Sequence, residues 1–283
     1  MIHYKRCAEV DTDLVYKAFS IGFSDYIIKI QLSKEAFIDR FFGPEGNSMT
    51  TSFIALKEER PIGLVLGGAK NYEGIKTMRC GTMAVDPEFR GTGVSKRLME
   101  LHREEAVKQG CKQLFLEVIV GNDRAINFYK KLGYEKIYDL YYYSLKDMSK
   151  LNSKINSEIE TKTLTIEEFE DFAEKSSDVH INWQNDLDYI KMSDNQLCLG
   201  AFVDNVLIGA VSVNKNYRVS YLYVDKKHRV KRAASTMLAK AAQELNIDKL
   251  SSGFPNNASI IGFLKQSGFN KDSIAQYEMY VTL

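Results

Sequence analysis

The stretch Val85-Asp86-Pro87-Glu88-Phe89-Arg90-Gly91-Thr92-Gly93-Val94-Ser95 decides how this 283-residue chain is read. Just before it, Gly81-Thr82-Met83-Ala84-Val85 is short, apolar or β-branched and bounded by turn formers, which predicts a buried strand that Pro87 ends. Just after it, Val94, Leu98 and Leu101 fall at i, i+4 and i+7, the apolar face of a helix. The order is strand, glycine loop, helix. The first N–H groups of a helix lack intrahelical partners and sit at the positive end of its dipole, so anions bind there. Gly91 and Gly93 can take φ > 0 and bring the main chain close to a phosphate, while Arg90, Lys96 and Arg97 add positive charge nearby. A tight turn ahead of a surface helix explains the same residues. Neither G-x-G-x-x-G nor G-x-x-x-x-G-K-[ST] occurs, which argues against a dinucleotide or a nucleoside triphosphate.

Outward from this loop, Ile2 to Ala8 reads as a strand, and Asp11 and Ser33 as caps of two helices. Ser52–Leu56 and Pro61–Gly67 read as a hairpin. The strand Gln113–Val120 leads to Asn122 and a helix from Asp123 to Lys131, which Gly133 stops, and Tyr138–Leu145 closes the half as a strand. The pattern then restarts. Leu197–Val211 repeats the hairpin, Val224-Asp225 followed by Arg229 repeats Val85-Asp86 followed by Arg90, and Asn257 to Gly268-Phe269 repeats Asn122 to Gly133-Tyr134. Three landmarks in one order predict a duplicated domain. The polar run between places the boundaries at 1–148 for the first domain, 149–160 for a linker and 161–283 for the second.

Composition narrows the function. With 38 basic and 37 acidic residues, nothing draws the chain to nucleic acid or to a membrane surface. Cys7, Cys80, Cys111 and Cys198 are far apart and the four histidines are scattered, so no metal site is expected. The cysteines read as buried thiols. No signal-like or membrane-length apolar run occurs, and a cytoplasmic protein is expected.

Two stretches together carry a resemblance. Arg90-Gly91-Thr92-Gly93-Val94-Ser95 is close to [Q/R]-x-x-G-x-[G/A], and Asn122-Asp123-Arg124-Ala125-Ile126-Asn127-Phe128-Tyr129-Lys130-Lys131-Leu132-Gly133-Tyr134 is close to N-x-x-A-x-x-[F/L]-Y-x-x-x-G-[F/Y]. The first half thus resembles the GNAT superfamily of acyl-CoA-dependent N-acetyltransferases; Ser95, where the family prefers Gly or Ala, is a departure. The resemblance implies an α+β protein of two tandem GNAT-like domains, each a mixed, mostly antiparallel sheet flanked by helices. It also implies acetyl-CoA as co-substrate without a metal. Amides of Arg90, Gly91, Thr92, Gly93, Val94 and Ser95 would hold the diphosphate, the strand Met83, Ala84 and Val85 would bond the pantetheine arm, Asn122 would fix the splayed strand or the pantetheine, and Ala125 and Tyr129 would also contact the cofactor.

At the position of Tyr129 the family places the acid that protonates the leaving thiolate; a core tyrosine beside Phe128 is the plainer reading. Glu117, the single acid in the apolar run Leu114–Val120, is the candidate base, since burial raises a carboxyl pKa; it equally suits a strand glutamate anchoring a loop. Members that acetylate protein N-termini carry a similar Leu-Glu-Val strand. Phe23, Tyr26 and Tyr142, with Phe37, Tyr141 and Tyr143, are candidates to line the acceptor pocket, and Asp25 to anchor the amine. The acceptor is a small-molecule amine or a peptide N-terminus, with no nucleic acid or membrane partner. In the second half Val230 and Arg232 replace Gly91 and Gly93, and Leu264 replaces Tyr129. That half is expected to keep the fold without catalysis and to bind acetyl-CoA poorly, because bulky side chains would obstruct the loop. An acyl-CoA-binding sensor or protein-interaction module without turnover is the alternative for the whole chain.

Overall fold

The structure is a computed structural model that describes residues 1–175 and 179–283. Its contacts gather into two compact units, one formed by Met1–Ile137 with Tyr277–Leu283 and the other by Tyr138–Gln276. Among the described residues no helix is long and apolar enough to cross a membrane.

In the first unit, β1 (Ile2–Arg6) precedes two capped helices. Asp11 accepts the Asp13 N–H ahead of α1 (Thr12–Gly22), and Ser33 accepts the Ala36 N–H ahead of α2 (Lys34–Phe41). Next come β2 (Phe53–Lys57), β3 (Arg60–Tyr72), β4 (Ile75–Val85), α3 (Val94–Lys108), β5 (Gln113–Ile119) and α4 (Asp123–Lys131). The strand order is β1-β2-β3-β4-β5, and the pairs from β1 to β4 are antiparallel. β3 and β4 form a longer hairpin than the sequence suggests, turning at Glu73-Gly74 where both residues have φ > 0. The polar residues Lys70, Asn71, Lys76 and Thr77 masked that extension. One apolar cluster, including Val85, Leu98, Leu116 and Tyr129, packs α3 and α4 on the sheet; another, with Phe19, Phe37 and Leu64, packs α1 and α2.

β6 (Glu135–Leu145) begins in the first unit and carries the chain into the second. There follow α5 (Ser149–Asn152), β7 (Glu160–Thr163), α6 (Ile166–Lys175), α7 (Leu187–Met192), β8 (Gln196–Val203), β9 (Val206–Asn214), β10 (Arg218–Val224), α8 (Ala233–Leu245), β11 (Leu250–Pro255), α9 (Ala258–Gln266) and β12 (Asn270–Thr282). The order β6-β11-β10-β9-β8-β7 repeats that of the first unit, again with one parallel step, between β10 and β11.

The compact contact units do not follow the expected segments residue for residue. Residues 149–160 are not a free linker: Leu151 and Ile159 are buried in the core of the second unit, each contributing on the order of 2 kcal/mol. Their polar neighbours Ser153, Lys154, Asn156 and Ser157 hid two apolar anchors. The second contact unit ends at Gln276. β12 divides after Gln276, and its Tyr277–Leu283 end belongs to the first unit, where the Tyr280 and Phe115 rings lie 4.8 Å apart.

Candidate active site

The loop after β4 is held by short-range bonds. Asp86 accepts the Glu88 N–H at 3.0 Å, a single helical turn covers Pro87–Phe89, and the Thr92 hydroxyl donates to the Phe89 carbonyl at 2.7 Å. Gly91 and Gly93 have φ of +79° and +94°, a region that costs an L-residue roughly 1–2 kcal/mol. Gly93 caps α3 without a side chain, and the first N–H to bond back is that of Arg97, to the Gly93 carbonyl at 3.0 Å. The N–H groups from Gly91 to Lys96 therefore have no partner among the described residues. Six main-chain donors at a helix start make an anion cradle.

The cations expected around the cradle are largely engaged elsewhere. Arg90 donates to both carboxylate oxygens of Asp25, at 2.5 and 2.7 Å, and to the carbonyls of Val85 and Gly22, each at 3.1 Å. This ties the loop to the end of α1. Arg97 pairs with Glu100 and Glu104. Asp25 is thus an anchor for Arg90 rather than for an amine, and that bond holds its carboxyl below the usual carboxylate range. The spacing of 65 residues between the partners left it unseen in the sequence.

Upstream of the cradle the sheet forks. β4 and β5 pair in parallel only from Thr77–Cys80 to Gln113–Leu116, and opposite β3 the register slips at Gly81, a bulge that turns the strand away. From Gly81 to Val85, through Met83 and Ala84, β4 has no partner on its β5 side. Glu117 is the first residue of β5 beyond the last pair. It is buried, and its Oε2 accepts from Arg79 Nε at 2.8 Å. Arg79 Nη1 also donates to Glu45 Oε2 at 2.8 Å and to the Glu45 carbonyl at 3.1 Å. Burial works against the guanidinium charge, and Glu117 and Glu45 overcome it, so Arg79 stays protonated. The Glu117 pKa is raised, because burial outweighs Arg79, and its Oε1 is buried without a partner among the described residues. Glu117 thus has one oxygen anchored by Arg79 and the other without a partner among the described residues. Arg79 and Glu45 escaped the sequence reading, although an arginine inside an apolar strand opposite a glutamate was a signal.

On α4, Asn122 accepts the Ala125 N–H at 3.3 Å and bonds the Tyr26 hydroxyl. Tyr26 stacks edge-on with Phe23 at 4.8 Å. Burial raises the Tyr26 pKa against that bond, and raises the Tyr129 pKa well above 10, with Cys80, Tyr134 and Tyr26 adding to it. Tyr129 is a protonated phenol in the cluster that holds Cys80 and Val85. Burial also pushes the Cys80 thiol up to about 12, so no thiolate stands ready there. The structure thus brings Phe23, Tyr26, Asn122 and Tyr129 together. Tyr142 belongs to the second unit with Tyr141 and Tyr143, and its hydroxyl meets Gln276 there. Phe37 is wholly buried among aromatic rings, a core residue.

The second unit repeats the frame with other residues. β10 and β11 pair at Arg218–Ser251 and Val219–Ser252, then part, with Ser220 as the bulged residue. Gly253 stands where Glu117 stands, and a Cβ there would lie 2.6 Å from the Tyr142 ring. Leu264 is buried at the place of Tyr129. The loop keeps the cradle's backbone: Val230 and Arg232 both have φ of +67°, and Arg232 caps α8. Val230 is fully exposed.

These two forks with a cradle below each agree with the comparisons. The profile described as the acetyltransferase (GNAT) family matches residues 16–134 and again residues 158–269. The chain belongs to the acetyltransferase (GNAT) family. Over 96 residues it is 32% identical to N-alpha-acetyltransferase 30 of Schizosaccharomyces pombe, an overlap covering 33% of this chain and 63% of that protein. It therefore spans less than two thirds of that relative. Over 149 residues it is 23% identical to N-alpha-acetyltransferase 30 of Saccharomyces cerevisiae, covering 48% of this chain and 84% of that protein. The fold of the full chain is similar to a tandem GNAT protein from the clavulanic acid biosynthesis pathway, with a TM-score of 0.70 at 14% identity over 100% of this chain and 98% of that one. The protein is thus two tandem GNAT domains of α+β class.

Proposed function

We propose that the first unit transfers the acetyl group of acetyl-CoA to a primary amine by direct attack on the thioester, and that the amine is a peptide N-terminus. The observation that carries this is the row of unpartnered N–H groups from Gly91 to Lys96, at the foot of a β4 edge open from Gly81 to Val85. A diphosphate fits such donors, and an amide-bearing arm fits a strand edge that lacks its neighbour. The open positions of the fork face Glu117 on one side, and Tyr129 lies in the apolar cluster against β4.

Glu117 Oε1 takes the proton of the ammonium or of the attacking amine, a task suited to a carboxyl whose pKa burial has raised. The amine nitrogen bonds to the thioester carbon, and the oxyanion is met by main-chain N–H groups on the open edge of β4. As the intermediate collapses, the C–S bond breaks and the thiolate takes the Tyr129 proton; the phenolate regains a proton from solvent. The raised phenol pKa keeps Tyr129 protonated, so its O–H is present to hydrogen-bond to the departing sulfur and donate to it. The high Cys80 pKa favours direct transfer over a cysteinyl intermediate. The names of the two yeast relatives support the choice of an α-amine.

The test is free-thiol release by the whole chain from acetyl-CoA in the presence of amino acids, polyamines, an aminoglycoside and short peptides. Peptides with a free α-amine are expected to drive release, and the same peptides blocked at the N-terminus are not. Release driven by polyamines or the aminoglycoside, with peptides inert, contradicts the choice of acceptor.

A further inference from the structure

The end of β12 brings the first unit a buried acid that the proposed steps do not involve. Within that unit the Leu283 N–H bonds the Lys112 carbonyl at 3.0 Å, and the Tyr280 and Phe115 rings lie 4.8 Å apart. Both contacts fit one antiparallel register between β12 and its neighbour β5, and two residues farther along it Glu278 comes opposite Glu117. Side chains alternate across a strand. Met279 enters the apolar cluster with Leu114 and Leu116, so Glu278 stands on the other face, with Phe115, Glu117 and Arg79. Glu278 has no exposed surface.

Two carboxylates that face each other across a strand pair repel, and burial strengthens the repulsion. A strand end that only filled the core would carry an apolar residue there, as it does at Met279. Around Glu117 stand Arg79 from β4, Glu45 from the segment before β2, Tyr72 from β3, and Glu278 and Tyr280 from β12, with Lys70 and Glu73 beside Tyr72. Burial raises the Glu117 pKa, Arg79 opposes the rise, and Glu278 and then Glu45 add to it. We propose that Glu278 is a positioning residue for the reaction: across the strand pair its carboxylate opposes Arg79 and keeps Glu117 Oε1, which has no partner among the described residues, able to take the amine proton. The role rests on the reading of Glu117 as the base. An arginine within hydrogen-bond distance lowers a carboxyl pKa by about 1–3 units, which weakens the base, and a like charge on the facing strand restores it. Glu278 itself makes and breaks no bond; the proton passes from the amine nitrogen to Glu117.

The test is kcat for thiol release by the whole chain, at saturating acetyl-CoA and peptide, followed from about pH 5 to 9. Its low-pH limb reports protonation of Glu117 in the ternary complex. Glu278→Gln removes the facing charge at nearly constant size, so the limb should move to lower pH by roughly one unit while the plateau rate falls about threefold, as a weaker base requires. Glu278→Met removes the same charge with an apolar side chain, a change that buried ionic sites often tolerate, and should shift the limb alike if the glutamine variant fails to fold. Glu278→Asp keeps the charge and should leave the limb near that of the parent. A limb that stays in place or rises in the neutral variants, or that Glu278→Asp moves as far as Glu278→Gln, overturns the inference. Glu117→Gln separates the two levels. Lost turnover there with an unmoved limb in the Glu278 variants sinks this role alone, whereas full turnover by Glu117→Gln removes Glu117 as the base and the role of Glu278 with it.

Discussion

The forks of the two units are built alike and equipped differently. In the first, the strand beyond the last parallel pair begins with Glu117, backed by Arg79, and the helix after the capping asparagine presents Tyr129. In the second, the same places hold Gly253, Arg218 and Leu264, and Arg218 donates to the carbonyl of Gln184 and to Asn185 Oδ1 instead of to acids. The backbone frame, including a left-handed turn before each helix, is common to both. The lesson is that forks and cradles follow from the fold, while the side chains at Glu117 and Tyr129 are not repeated at Gly253 and Leu264.

The two arginines give the sharpest break in this comparison. Arg79 neutralises the buried carboxylate of Glu117 and shares that of Glu45 with the more exposed Arg40, so Arg79→Met should destabilise the chain by about 3–5 kcal/mol, whereas Arg218→Met should cost about 1–2 kcal/mol, since it strands only neutral acceptors. Denaturant unfolding measures both. Adding Glu117→Gln to Arg79→Met should recover part of the loss; equal effects of the two arginine substitutions would show that the acids around Arg79 carry no special weight.

A second asymmetry lies on the long helices. His102 of α3 is wholly buried with both ring nitrogens unpartnered among the described residues, and burial lowers its pKa to about 4, while Ala241 takes the corresponding place on α8. A folded-state pKa below the unfolded one means that the unfolded chain binds the extra proton first. Stability is therefore full above pH 6.5 and falls as the pH drops to about 4, by on the order of 3 kcal/mol. His102→Gln should remove this acid-sensitive portion, and unfolding free energy followed from pH 7 to 4 checks it. An unchanged slope would mean that other groups set the acid limit.

How much of this was legible in the chain depends on sequence distance. The strand, glycine loop and helix, their repetition, and the caps at Asp11, Ser33 and Asn122 are local patterns, and each appears where its residues predict. The pairing of Arg79 with Glu45 and Glu117 spans 34 and 38 residues and depends on strand register, which no local pattern encodes. The same is true of Asp25 with Arg90. Gly253 escaped notice because its meaning comes from pairing with Val219–Ser252 one step earlier. The division of β12 was illegible because a 13-residue strand carries no mark of where one partner gives way to the next.

The claim on which the rest depends is that chemistry resides in the fork of the first unit, with Tyr129 as the proton donor. The most direct measurement is free-thiol release from acetyl-CoA by Tyr129→Phe with a saturating peptide acceptor, beside calorimetric binding of acetyl-CoA to the same variant. Turnover is expected to fall by roughly two orders of magnitude or more while donor affinity stays within about twofold. Turnover equal to that of the parent chain would place the proton donor elsewhere and contradict the account.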